Sequence, residues 1–461
     1  MKALAQVLPL YALLFVLFGK LGVKGFLLIA TVVSMPLRFT YDFFAIPGYT
    51  FGGVNGIPIS GADLCLAVLG VWHLASGRRA LGATYRLGSP IAALIAACAL
   101  SAVNTTWLKV TGFQVVSLAL DSLLYYLAIR SSLAEIDDLK ALVLRLNVSL
   151  LLQGAIGCAQ FAMGHNFLLF STGPGEGETI IVGDQESSGF IRVFGTVGKP
   201  NSYGDHVATL LLLSLATGRL GLCSTWLRRM ALCLGSLGLL FSFSRGAWLG
   251  AVVAMISYTI ILHRWREVSF RKVVMSAGAV LLFLGPFVGL MLTRFTADDH
   301  NAAMSRLPLI GVAWNMIRAH PFLGVGANTS RTVVKYFLPP DYPFTYVDQV
   351  HNIYLTFFAE CGVLGLAALL WLLWTMLRLT YAHIVRRDSS VSPTLGAALF
   401  LCEIEFLVFN TFSMGNNKLA MSTVFMLCAL VAILRRAESW QAFQQASLTV
   451  SPLSGGALPS Q

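Results

Sequence analysis

Apolar stretches recur along this 461-residue chain, most of them separated by short basic segments. A membrane-spanning helix needs about 20 apolar residues, because the bilayer core is about 30 Å thick. Only 11% of the residues are charged, whereas soluble domains carry about 25%. The sequence therefore predicts an all-α integral membrane protein with about twelve transmembrane helices and two long loops that form a cap on one side of the membrane.

The predicted spans follow the apolar stretches, with the side of the N-terminus left open. They lie at about residues 58–75, 90–107, 111–130, 140–162, 206–217, 230–243, 246–262, 273–292, 355–378, 394–415 and 418–434, with one or two more within 4–38. We expect a membrane domain over residues 1–437 and a disordered cytoplasmic tail over 438–461.

The net charge of +11 does not predict a nucleic-acid partner, because most basic residues lie in short loops between spans. Such clusters mark the cytoplasmic side of a membrane protein. Two long segments, at about 164–205 and 292–350, then fall on the opposite, non-cytoplasmic side. Segments of this length are usually functional or disordered, and their aliphatic and aromatic content favours order. The second contains a predicted helix over 304–319.

Two arginines at span ends that are predicted to face away from the cytoplasm are candidates for anion binding. Arg245 lies in Ser244-Arg245-Gly246, where two apolar spans meet with almost no loop. Arg192 precedes Lys199, Pro200 and Asn201, and glycines nearby would let backbone amides approach a ligand. A helix that begins near Asn201 would favour an anion at its N-terminus. The competing interpretations are an arginine that extends to the interface and an ordinary solvated turn.

His351 follows the second long segment and precedes Asn352 and Tyr354. A histidine at the membrane boundary titrates near neutral pH, which suits proton transfer from a sugar hydroxyl. The alternative is structural, with Asn352 starting a helix and His351 packing beside it. Arg306 is the best further candidate for contact with a phosphate.

Several motifs for other chemistry are absent from the sequence. There is no D-x-D triplet, no P-loop, no H-E-x-x-H and no C-x-x-C pair. We therefore expect no metal site and no cofactor. Acidic residues in or near spans could form an ion relay, which keeps a transporter among the alternatives; they are Asp63, Asp121, Glu360, Glu403 and Glu405.

Four groups of residues, in this order, resemble the O-antigen ligase and O-antigen polymerase superfamily. They are Arg192 with Gly195 and Pro200-Asn201, then Ser244-Arg245-Gly246-Ala247, then Ser305-Arg306 with the run from His320 to Gly326, and last His351-Asn352-x-Tyr354 with Glu360-x-Gly362-x-x-Gly365. The resemblance covers about residues 58–435 and is strongest over 190–366.

The resemblance implies a metal-independent, inverting glycosyltransferase of the bacterial inner membrane with a periplasmic active site. Its donor would be a glycan on undecaprenyl diphosphate. A ligase transfers that glycan to lipid A–core, and a polymerase transfers it to another glycan. By position, Arg192 and Arg245 would engage the donor diphosphate, and His351 would lie beside the acceptor.

The remaining predicted substrate contacts are Asn201, Lys199, Arg306, Asn352 and Tyr354. The expected partners are therefore the lipid-linked donor, the acceptor and membrane lipid. We favour a ligase, while a polymerase with the same chemistry and, less strongly, a transporter of an anionic or lipid-linked solute stay open.

Overall fold

The structure is a computed structural model, and it describes most of the apolar stretches. The described residues are 2–37, 40–47, 54–76, 86–133, 136–167, 180–182, 190–264, 306–340, 350–385, 391–413 and 418–449, with isolated residues at 271, 288, 289, 292 and 342. Most of the predicted span 273–292, the predicted tail beyond residue 449 and most of the segment between 168 and 189 lie outside them.

The chain is mostly helical. We label the longer helices α1 (Lys2–Phe18), α2 (Gly22–Ser34), α3 (Gly61–Ala75), α4 (Gly88–Leu100), α5 (Leu108–Asp121), α6 (Ile136–Met163), α7 (Pro200–Ala216), α8 (Thr225–Phe241), α9 (Arg245–Arg264), α10 (Arg306–Ala319), α11 (Ile353–Val385), α12 (Val391–Phe409) and α13 (Lys418–Thr449). A π-helical turn, Ser122–Ala128, continues α5.

Five described segments are long and apolar enough to cross a membrane. They are Pro9–Ser34, Leu108–Ser132, Asp137–Met163, Ile353–Val385 and Lys418–Arg436. Shorter apolar helices occur at Gly61–Ala75, Gly88–Val103 and Arg245–Ile261. These helices agree with a helical membrane protein, while the count of twelve spans and the periplasmic cap stay predictions. The last helix, α13, continues through part of the predicted tail to Thr449.

Two short antiparallel hairpins interrupt the helices. The first pairs β1 (Thr40–Phe43) with β2 (Ile57–Ser60), and β2 leads directly into α3. The second pairs β3 (Ile180–Val182) with β4 (Phe190–Arg192). Arg192 is thus the last residue of a strand.

Several helix ends meet at one end of the bundle, which we call the site end. There α7, α9 and α11 begin, while α8 and α12 end. Helices α7 and α9 approach closely, since a Cβ atom on Gly204 would lie only 2.9 Å from the Ser244 Cβ. Helix α12 packs against α7, α9 and α11, and the amide of Ile353 donates to the carbonyl of Asn410, just beyond the end of α12 (3.0 Å).

Helix α11 is broken at Gly362, whose backbone has φ 66° and ψ −166°. The segment from Pro321 to Ser330 docks into this break. The amides of Val325 and Gly326 donate to the carbonyls of Ala359 and Glu360 at 3.0 and 2.9 Å, and the amide of Val363 donates to the Pro321 carbonyl at 2.8 Å. The segment therefore satisfies backbone groups that a regular helix would pair internally.

The carboxylate of Glu360 fixes the same segment from inside the protein. It accepts hydrogen bonds from the Asn328 amide at 2.8 Å and from the Ser330 hydroxyl and amide at 2.6 and 3.3 Å. The side chain is almost fully buried. Glu360 thus has a structural role at the break, although the sequence suggested it as a candidate for an ion relay.

Candidate functional site

Arg192 lies at the site end and reaches across the turn between α8 and α9. Its Nη2 donates to the Asn201 Oδ1 at 2.7 Å, and its Nε donates to the Ser242 carbonyl at 3.2 Å. A longer bond, 3.4 Å, joins Nη2 to the Phe243 carbonyl. These oxygen atoms orient the guanidinium group at the site end, where an arginine could bind an anionic ligand.

The strand that carries Arg192 is held in place from α6. The Gln160 side chain accepts from the amides of Phe194 and Gly195 and donates to the Gly195 carbonyl. The backbone of Val193 is also anchored, because its amide donates to the Phe241 carbonyl at 3.1 Å. The amide of Gly195 is therefore occupied by the protein, in contrast to the expectation that glycines here expose their amides to a ligand.

The turn that receives Arg192 has a strained backbone. Phe243 has φ 49°, in the left-handed region that a residue with a side chain seldom adopts, and its ring is fully buried near Trp248. This conformation reverses the chain between α8 and α9 within a few residues. Strain of this kind often marks functional sites, where the surrounding packing maintains it.

Arg245 is the first residue of α9. The Ser244 Oγ accepts from the Ala247 amide at 3.4 Å, and the Ser244 carbonyl accepts from the Trp248 amide at 3.0 Å. A basic residue is unfavourable at the positive end of a helix dipole but becomes favourable when an anion binds there. Because α7 begins beside α9, two helix N-termini and two arginines lie in the same part of the molecule.

Asn201 is the second residue of α7, so the predicted helix start is shifted by one or two positions. The helix begins at Pro200, with Lys199 as the exposed residue before its first turn. Proline suits this position because it has no amide hydrogen to leave unpaired. The Asn201 side chain does not cap the helix; it binds Arg192.

The segment Phe409–Phe412, which we call the α12 turn, connects the arginines with His351. On one side, a Cβ atom on Gly246 would lie 3.3 Å from the Phe409 Cδ2. On the other side, Asn352 donates from Nδ2 to the Thr411 carbonyl at 3.2 Å. The residue after Arg245 and the residue after His351 therefore contact the same turn.

Asn352 and Tyr354 have clear structural partners. The Asn352 Oδ1 accepts from the Leu355 amide at 2.9 Å, which caps the start of α11. The Tyr354 hydroxyl donates to the Leu407 carbonyl in α12 at 3.0 Å. The capping interpretation of Asn352 is thus confirmed, and contact of either residue with a substrate stays a prediction. His351 is half-buried beside them.

Arg306 is the first residue of α10. Helix α10 packs against α11, and its buried face joins a separate apolar cluster that includes Leu309, Val350 and Ala359. A role for Arg306 in phosphate binding stays a prediction.

Sequence reasoning missed the acceptors of Arg192 and the α12 turn. The carbonyls of Ser242 and Phe243 lie 50 residues or more away in sequence, and no side-chain pattern marks a backbone oxygen. Asn410 is fully buried, and its carbonyl binds α11. The only signal in the sequence was a polar pair, Asn410-Thr411, at the end of an apolar span.

Two comparisons with known proteins identify similar sequences. Residues 230–370 match the family described as O-Antigen ligase. The O-antigen ligase of Salmonella typhimurium (strain LT2) is 24% identical over 178 residues, which is 37% of this chain and 44% of that protein. The chain thus matches less than half the length of this curated relative. The family match contains Arg245, Arg306 and His351, while Arg192 and Asn201 precede it. Over residues 230–370, the chain is therefore similar to the O-antigen ligase family.

Proposed function

We propose that this protein is a ligase-type glycosyltransferase. It transfers a glycan from undecaprenyl diphosphate to a sugar hydroxyl of lipid A–core, at the periplasmic face of the inner membrane. The observation that carries the proposal is the position of Arg192, which is oriented by neutral oxygen atoms beside the N-termini of α7 and α9. The similarity to the O-antigen ligase family supports glycosyl transfer as the reaction class.

The donor half of the reaction requires stabilisation of a leaving diphosphate. As the bond between the sugar C1 and the phosphate oxygen breaks, the electron pair and negative charge move to the diphosphate. Arg192 and Arg245 would bind these oxygen atoms through charge-assisted hydrogen bonds. The two helix N-termini would add to the positive potential, so the arginines would supply stabilisation that other enzymes obtain from a metal ion.

The acceptor half requires removal of one proton. The acceptor hydroxyl oxygen would attack C1 from the face opposite the diphosphate, which inverts the configuration, and His351 would accept the hydroxyl proton. The α12 turn supports this assignment because it contacts the residues that follow Arg245 and His351. It would hold donor and acceptor groups in a fixed relation, which a two-substrate reaction needs.

The direct test is a gel assay with the purified full-length protein in lipid. Undecaprenyl-diphosphate glycan is supplied with and without lipid A–core. A glycosylated lipid A–core product, formed only when lipid A–core is present and without an ion gradient, supports the ligase. A ladder of longer lipid-linked glycans without lipid A–core would replace the ligase with a polymerase. No covalent product under either condition would overturn the proposal and favour a transporter.

A further inference from the structure

Lys418, at the start of α13, lies between two buried aspartates from distant parts of the chain. Its Nζ is 3.1 Å from the Asp63 Oδ2 in α3, and it also forms an ion pair with the Asp121 Oδ1 at the end of α5. The aspartate side chains are only 1% and 3% exposed. We call these three residues the lysine clamp.

The lysine clamp is fixed by its surroundings as well as by charge. The carboxylate of Asp63 accepts from the Ser60 amide at 2.7 Å, in a capping box that starts α3. The Lys418 ammonium also lies over the Tyr125 ring, 5.8 Å from its centroid. Tyr125 belongs to the π-helical turn that follows Asp121, and this turn packs against α13. Buried ion pairs can fix register while they add little net stability.

The clamp is close in sequence to the α12 turn. Lys418 follows Phe412 by six positions, and α12 packs against α13. The α12 turn binds the start of α11 through the Asn410 and Thr411 carbonyls. It also contacts Gly246 in α9. A chain anchored at Lys418 therefore has limited freedom at the turn that touches both halves of the candidate site.

We propose that Lys418 is a positioning residue for the candidate site. By tying α13 to α3 and α5, it holds the α12 turn, and the turn holds the segments that carry Arg245 and His351. This inference rests on the proposed function for its catalytic consequence. It also gives a role to α3 and α5, which lie outside the segment that matches the ligase family.

The test compares three variants of the full-length protein in lipid. Lys418→Met/Asp121→Asn removes the clamp without leaving an unpaired charge on Asp121, and Asp63 keeps its bond to the Ser60 amide. Lys418→Arg keeps a cation for both carboxylates. Lys24→Met is the matched control, because Lys24 forms an ion pair of 2.5 Å with Asp138 between α2 and α6.

Two readouts separate positioning from the chemistry. Hydrogen exchange over residues 350–356 reports the Ile353 amide, which binds the Asn410 carbonyl. We expect exchange on the order of tenfold faster in the double variant, with kcat for transfer reduced on the order of tenfold or more and the donor KM little changed. Lys418→Arg and Lys24→Met should match the wild type in exchange and in kcat.

Unchanged exchange over 350–356 in a folded double variant would overturn the clamp, whatever its transfer rate. Equal losses in Lys24→Met would also overturn it, because the effect would then be general. If the wild type transfers no glycan, the proposed function fails, and the exchange comparison alone still supports or overturns the clamp.

Discussion

The arginine region and the break in α11 are both built from short motifs that resemble the same superfamily, yet they use charge differently. At the break, the carboxylate of Glu360 is surrounded by donors from the Asn328 and Ser330 segment. At the site end, Arg192 is held by neutral oxygen atoms beside two helix N-termini. A charged group such as Glu360, whose hydrogen-bond donors belong to the loop that it fixes, indicates a structural role. A positive group placed where helix dipoles are also positive indicates an anionic ligand.

The largest expected effect is the loss of transfer when Arg192 is changed. Arg192→Gln removes a charged donor from the leaving diphosphate, so transfer should fall on the order of 100- to 1,000-fold. The fold should be retained, since glutamine can still bind a carbonyl. The measurement is the initial rate per folded molecule. Arg318→Gln is the control, because Arg318 is an exposed arginine on α10 that stacks on Trp314. Equal rates in the two variants would remove Arg192 from the site.

The second effect concerns the break itself. Gly362→Ala should lower the free energy of unfolding by about 3 kcal/mol, because φ is 66° and a Cβ atom would lie 2.2 Å from the Phe322 carbonyl carbon. Thermal unfolding in lipid measures the change. Gly112→Ala in α5, where a Cβ atom meets nothing within 4 Å, should leave stability equal or slightly higher. If Gly362→Ala left the free energy of unfolding unchanged, the break in α11 would not be needed for stability.

The third effect concerns Glu360. Glu360→Gln replaces one acceptor oxygen with a donor that faces the Asn328 and Ser330 groups, so unfolding free energy should fall by about 1–3 kcal/mol. Exchange at residues 325–333 should increase, because these residues lose their anchor. If Glu360→Gln were more stable than the wild type, the carboxylate would not serve the fold and would have a role in chemistry. The contrast between the arginine region and the break in α11 would then be removed.

The smallest effect is expected at the cap of α11. Asn352→Ala removes the bond to the Leu355 amide and should cost about 1 kcal/mol of stability. Asn352→Ser should restore most of that amount, because serine also caps helices. Thermal unfolding and the transfer rate are compared among the wild type and both variants. If Asn352→Ser regains the stability of the wild type but not its transfer rate, Asn352 contacts the substrate as well. If Asn352→Ser regains both stability and transfer, the role of Asn352 is capping alone.

The sequence predicted the features that depend on local pattern. Apolar length predicted α11 and α13, and the helical spacing of apolar residues predicted α10. Features that depend on distant contacts were not predictable in this way. The break at Gly362 exists because the segment from Pro321 docks there, and Glu360 acquires its partners only through that docking. The neighbours of Arg245 and His351 likewise meet through the α12 turn, which lies far from both in sequence.

The most direct test compares Arg245→Gln with Glu360→Gln for transfer of glycan from undecaprenyl diphosphate, measured per folded molecule in lipid. We expect Arg245→Gln to lose on the order of 100-fold or more in rate while its unfolding temperature is unchanged. Glu360→Gln should keep a rate within about threefold of the wild type while its unfolding temperature falls. Wild-type transfer by Arg245→Gln, or loss of transfer in a Glu360→Gln protein of normal stability, would contradict the assignment of Arg245 to catalysis and of Glu360 to the fold.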